Sequence, residues 1–135
     1  MFDVEKPINV IPNFIDLSKT NDTGKTIDKY VVASKDQFVI THISNFRPLK
    51  RIIDVLKVFE KIRNKLDAKL IMVGDGPEKL RAKSYCKSNK LDEDVLFLGN
   101  SNEVDQILSF SDLFLLPSEQ ESFGLVALEL SLIHI

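Results

Sequence analysis

The chain is poor in the features that mark several protein classes. It has one cysteine, Cys86, so an internal disulfide is impossible and a reducing compartment fits. Neither charge sign dominates: 18 basic residues face 20 acidic ones, a net charge of -2, with no long basic run. That balance gives no reason to expect a nucleic-acid partner. No apolar stretch approaches the length of a membrane span. The opening Met1-Phe2-Asp3-Val4-Glu5-Lys6 lacks the basic-then-apolar layout of a signal peptide, so a cytoplasmic location is expected. No internal repeat, low-complexity segment, or zinc or calcium ligand spacing stands out.

What is present is the composition of an ordinary soluble domain. Apolar residues make up 44% and charged residues 28% of 135 positions, enough to bury a core without staples. Short apolar, β-branched runs alternate with helix-period stretches. Strands are expected at 37–43, 69–73, 95–98 and 113–116. Ile52, Leu56, Phe59, Ile62 and Leu66 form an apolar stripe that predicts a helix over about 50–65. A second helix is expected from Glu78 to Ser88 with Pro77 in its first turn, a third from a cap at Asn102 to Ser109, and a fourth from Phe123. Residues 17–36 are polar and read as loop with one weak helical turn, after a short extended piece that stops at Pro12.

Strands alternating with helices imply βαβ units, right-handed crossovers and an α/β, Rossmann-like parallel sheet. Ligands of such sheets bind beyond the carboxyl ends of the strands. Three segments fall on that edge: 44–50, 74–77 and 117–124. In the last, Glu121 and Glu129 flank Ser122-Phe123-Gly124-Leu125, eight positions apart. Carboxylates accept hydrogen bonds from sugar hydroxyls, and a helix N-terminus at a glycine makes a phosphate cradle. By themselves, two glutamates so spaced are better explained as a helix-dipole partner and a solvated side chain. Basic side chains at 47, 50 and 51 can neutralise a diphosphate leaving group, or form a solvated loop. Asp92-Glu93-Asp94 precedes a strand, on the opposite edge, and reads as a solvated turn. His42 lies in a buried strand and reads as a satisfied core histidine, and Cys86 as structural.

The run Ser111-Asp112-Leu113-Phe114-Leu115-Leu116-Pro117-Ser118, followed by Glu121-Ser122-Phe123-Gly124 and Glu129, resembles the donor-site signature of retaining GT-B glycosyltransferases, the glycosyl transferases group 1 family. The resemblance implies that Glu121 contacts the transferred sugar and Glu129 the ribose. It further implies that Ser122, Phe123, Gly124 and Leu125 face the sugar and diphosphate. Lys50 matches the family's phosphate-binding lysine, whereas Asn45 stands in the slot of its arginine, with Arg47 close by as a substitute. Gly74 and Gly76 resemble the loop bordering the nucleotide pocket, Phe97 and Leu98 the strand end whose backbone reads the base, and Pro12-Asn13 the approach to the donor domain. Lys50 and Glu121 are the catalytic candidates.

His42-Ile43-Ser44-Asn45-Phe46-Arg47 with Lys50-Arg51, the segment from Val10 to Asp16, and Glu119-Gln120-Glu121 resemble a narrower subgroup. Its members, in the bacillithiol pathway, move N-acetylglucosamine from UDP to L-malate, and Asn in place of Arg is usual there. The resemblance implies a UDP-sugar as substrate, L-malate as acceptor, and no cofactor or catalytic metal. It divides the chain into an interdomain segment (1–16), a polar loop (17–36), a partial C-terminal, donor-binding domain (37–130) and a tail (131–135) that departs from the family pattern. That tail reads as a truncated or misread frame. Acceptor-binding residues are expected on a separate N-terminal domain, so the 135 residues alone are expected to be inactive. Other readings are a group 1 enzyme with a glycan or lipid acceptor, a sugar-nucleotide epimerase of similar architecture, and a non-catalytic α/β binding domain. A phosphate receiver would need acidic residues after its first strand, where Ser44-Asn45 stand instead.

Overall fold

The computed structural model describes residues 29–119. Among these, strands β1 (Phe38–Ile43), β2 (Ala68–Val73), β3 (Val95–Gly99) and β4 (Leu113–Phe114) alternate with helices α1 (Lys29–Val32), α2 (Ile52–Arg63), α3 (Lys79–Ser88) and α4 (Val104–Ser109). The sheet order is β3-β2-β1-β4, and every pair is parallel. The α/β, Rossmann-like architecture expected from the alternation is therefore present.

The strand period of two splits each central strand between two cores. Ile40, Leu70 and Met72 face α2 and α3, packing with Ile52, Val55, Leu56, Phe59, Ala82 and Cys86. Val39, Ile71 and Val73 face the other way, toward Ala33 after α1 and Ile107 of α4. Burial on both faces explains why β1 and β2 are nearly continuous apolar runs. Each fully buried Leu, Ile or Phe contributes about 1.5–3 kcal/mol.

Several expectations shift. Leu66 lies past the end of α2 and is 53% exposed, because the chain tightens there: the Lys65 and Leu66 N–H groups both bond the Ile62 carbonyl at 2.9 Å. Val55 fills the stripe instead. Pro77 precedes the Glu78 cap rather than opening α3. Glu103, not Asn102, caps α4, and its N–H is satisfied by Ser101 Oγ at 3.1 Å. The last strand ends at Phe114 rather than Leu116: Leu115 still donates to the Thr41 carbonyl, but its own carbonyl turns to the His42 ring.

Asp94 also departs from expectation. Asp92 and Glu93 are exposed, but the Asp94 carboxylate accepts from Arg63 Nε at 2.7 Å and Lys69 Nζ at 2.8 Å. It ties α2, β2 and the start of β3 together at the amino edge. Among the described residues no three His, Cys, Asp or Glu side chains group as a metal site, and no helix is long and apolar enough to cross a membrane.

Cys86 is 1% exposed, and burial, aided by the Asp92 charge, pushes its thiol up from 9.0 to about 11. The fold favours the neutral thiol, so this contribution is fully present below pH 9.0 and is lost as pH rises through about 11. A thiol reagent at pH 8 is expected to label Cys86 only as the protein unfolds. Rapid stoichiometric labelling of native protein would contradict the buried, protonated thiol.

Candidate functional site

The chain runs outward from β1 to β2 to β3, then returns to place β4 on the far side of β1. The strand order reverses between β1 and β4, and the crevice at such a switch point is where open α/β sheets bind ligands. The loops leaving β1 and β4 form its two lips.

The first lip is built on Phe46. This residue is fully buried at φ 42°, an uncommon conformation for a bulky side chain. Its ring stacks on His42 (centroids 6.1 Å apart) and meets Phe97 edge-on at 6.5 Å. Burial of the ring holds the turn, and it leaves the flanking Asn45 and Arg47 exposed. A 3-10 turn, Pro48–Lys50, follows, closed by the Lys50 N–H on the Arg47 carbonyl at 2.9 Å. Arg51, at φ 54°, then starts α2. Lys50 is half-buried at the junction.

The β2 exit packs beneath this lip. A Cβ on Gly74 (φ 126°) would lie 1.7 Å from the Ser44 carbonyl oxygen, and one on Gly76 would lie 2.1 Å from that of Asn45. These two glycines let the backbone of one loop rest against the other. The Glu78 N–H bonds the Phe46 carbonyl at 3.0 Å, and the Gly74 N–H bonds the Gly99 carbonyl at 2.7 Å. The Asp75 carboxyl is held below the usual carboxylate range by the Gly76 N–H, then by Lys79. Phe97 and Leu98 are partly buried at the end of β3, with Lys83 Nζ 5.7 Å above the Phe97 ring.

The second lip begins at Leu115, whose carbonyl lies 2.7 Å from His42 Nδ1. Further on, the Glu119 N–H bonds the Leu49 carbonyl at 2.9 Å, and Arg51 reaches the Glu119 carboxylate at 3.8 Å. Beside them lies an open groove of about 210 Å³ where Arg51, Lys57 and Arg81 face Asp54, Glu78 and Glu119. Asn45, Arg47, Lys50, Gly74, Gly76, Phe97 and Leu98 thus all stand on the carboxyl edge. Glu121, Ser122, Phe123, Gly124, Leu125 and Glu129 lie outside the described residues. The Arg51–Glu119 and His42–Leu115 ties were not legible in the sequence, since partners so far apart along the chain leave no local pattern.

Residues 25–131 match the family model described as glycosyl transferases group 1. The chain belongs to this family. It is 44% identical over 126 residues to the N-acetyl-alpha-D-glucosaminyl L-malate synthase of Bacillus anthracis, a match covering 92% of this chain and 33% of that protein. The chain thus spans about a third of the length of this relative. Among solved structures it is similar to HepE of Anabaena in complex with UDP and glucose, with a TM-score of 0.66, 25% identity, and coverage of 73% of this chain and 28% of that one. It also matches the C-terminal domain of a group 1 family protein, LpcC, of Francisella tularensis, with a TM-score of 0.63, 24% identity, and coverage of 69% and 52%. That last likeness concerns the fold alone. The parallel sheet is the Rossmann-like architecture of part of a GT-B glycosyltransferase fold.

Proposed function

We propose that this chain supplies the donor side of a retaining glycosyltransferase that uses a UDP-sugar, and that the reaction moves N-acetylglucosamine from UDP-GlcNAc to L-malate. The observation that carries the reading is the close seating of the Lys50 loop against the segment leading to Glu121, at the switch point of the sheet. The 44% identity to the malate synthase supports the sugar and the acceptor. The Anabaena relative in complex with UDP and glucose supports a UDP donor.

In this reading Lys50 faces the diphosphate, with Asn45 and Arg47 at its border. Glu121 contacts the sugar and Glu129 the ribose, and the backbone from Ser122 to Leu125 receives the phosphates at a helix N-terminus. Phe97 and Leu98 border the base, and Gly74 and Gly76 shape the wall between. The bond from sugar to phosphate breaks as the malate hydroxyl oxygen attacks from the face the diphosphate leaves, and the hydroxyl proton passes to the departing phosphate oxygen. Negative charge grows on the departing UDP, and Lys50 stabilises it there. The UDP-sugar is a substrate, and no cofactor or metal is assigned a role. Donor and acceptor are both soluble metabolites, and a cytoplasmic reaction fits them.

Calorimetric titration with UDP, UDP-GlcNAc and GDP tests the donor. UDP species are expected to bind more tightly than GDP, and equal or tighter GDP binding would overturn the assignment. Formation of glycosylated malate from UDP-GlcNAc and L-malate by the full-length transferase tests the acceptor.

A further inference from the structure

We propose that His42 is a positioning residue for the transfer: hydrogen bonds through its ring set where the Lys50 loop stands relative to the segment leading to Glu121. The proposal rests on the transferase reading above. His42 is fully buried in β1. An apolar side chain would fill that space without the cost of burying polar atoms, so what the imidazole adds is two directed bonds. The Leu115 carbonyl at 2.7 Å can only accept, so Nδ1 carries a proton and donates to it. In the neutral ring that leaves Nε2 to accept from the Ser44 hydroxyl at 2.8 Å. Ser44 Oγ in turn accepts from the Phe46 N–H at 3.3 Å. Each donor in this chain of bonds meets an acceptor.

The two ends of the chain of bonds are the two lips of the crevice. Phe46 holds the left-handed turn from which Arg47 and Lys50 project. Leu115 directly follows the end of β4, which pairs with β1 at only Ile40–Leu113 and Thr41–Phe114. A strand with so short a ladder has little to fix its exit; the Leu115 N–H bond to the Thr41 carbonyl holds one side of that residue and the bond to His42 holds the other. The next described tie between the lips is Glu119 N–H to the Leu49 carbonyl. Loss of the imidazole would loosen both lips at once, and leave the Leu115–Thr41 and Glu119–Leu49 backbone bonds and the Arg51–Glu119 pair to hold them.

The test uses the full-length transferase carrying this chain, with kcat, donor KM and Tm measured for three variants. His42→Phe keeps a ring against Phe46 and deletes both bonds. It is expected to lower kcat about 10- to 100-fold, as a displacement near 1 Å between reacting groups does, with little change in donor KM. His42→Asn can place an amide N–H near the Nδ1 position and keep the Leu115 bond, so it should recover much of the loss. Ser44→Ala removes one atom from the middle of the path and leaves Nε2 without its donor, so Tm should fall modestly, while kcat should fall by more than the unfolded fraction at the assay temperature accounts for. Undiminished kcat in His42→Phe and Ser44→Ala would overturn the proposal. So would losses that follow the unfolded fraction alone, with Asn no better than Phe. A wild-type enzyme that consumes no UDP-sugar would overturn the transferase reading and this proposal together.

Discussion

Lys50→Ala is expected to lower kcat of the proposed transferase by about 10²–10³-fold, the loss typical of one preorganised electrostatic stabiliser. Donor affinity should change far less. The reason is where charge develops. In the bound UDP-sugar the diphosphate already carries charge that other groups can balance. In the transition state further charge arrives at the oxygen leaving the sugar, and an interaction stronger there than in the ground state raises kcat rather than lowering KM. In the proposed reading Lys50 has that task. It ends a 3-10 turn between Phe46 and Arg51, both at positive φ, so its backbone is held at a fixed place above the β1 exit. Steady-state kinetics with the UDP-sugar varied provide the check. An unchanged kcat with a raised KM would make Lys50 a ground-state anchor and remove it from the catalytic role.

Gly74→Ala is expected to destabilise the chain by about 3 kcal/mol or more, with a fall in Tm on the order of 10 °C. Two effects add. At φ 126° an alanine is strained whatever the space around it. The space is also filled: the added Cβ would sit 1.7 Å from the Ser44 carbonyl oxygen, a backbone atom that cannot rotate away. Relief requires the β1 and β2 exits to separate. Gly99 is the internal comparison. It too has a positive φ, 69°, but a Cβ added there would meet nothing within 4 Å. Gly99→Ala should therefore cost only the left-handed preference, about 1–2 kcal/mol. Denaturant melts of the two variants separate the contributions. Equal stability of the two would mean that the close approach of the loops contributes nothing.

Both predictions depend on residues the sequence points to for reasons that differ from those the fold supplies. Gly74 and Gly76 read as a turn signal and, by resemblance, as a pocket border. In the fold they let two loops touch, and a one-dimensional pattern cannot show which backbone a glycine will approach. Asp94 shows the same limit. Three successive acidic residues look like a solvated turn, and two of them are; the third is bound by Arg63 and Lys69, brought in from α2 and β2. His42 reads as a satisfied core residue, which it is. Its satisfying partner just past β4 is 73 positions away and could not be named in advance.

The sequence by itself determined the alternation of strands and helices, the parallel sheet, which loops share its carboxyl edge, and membership of the family. These follow from local signals: periods of two and 3.6, glycine and proline at element ends, and short motifs whose residues are neighbours in the chain. Only the tertiary structure decided how the lips of the crevice are held. The Arg51–Glu119 pair, the Glu119–Leu49 backbone bond and the path from Leu115 through His42 and Ser44 to Phe46 all join the β1 exit to the β4 exit. Those exits become neighbours only because the chain, after building β2 and β3 outward, crosses back over β1. Hydrogen bonds and ion pairs act over a few ångströms, so contacts between segments so far apart in sequence exist only once that crossover has been made.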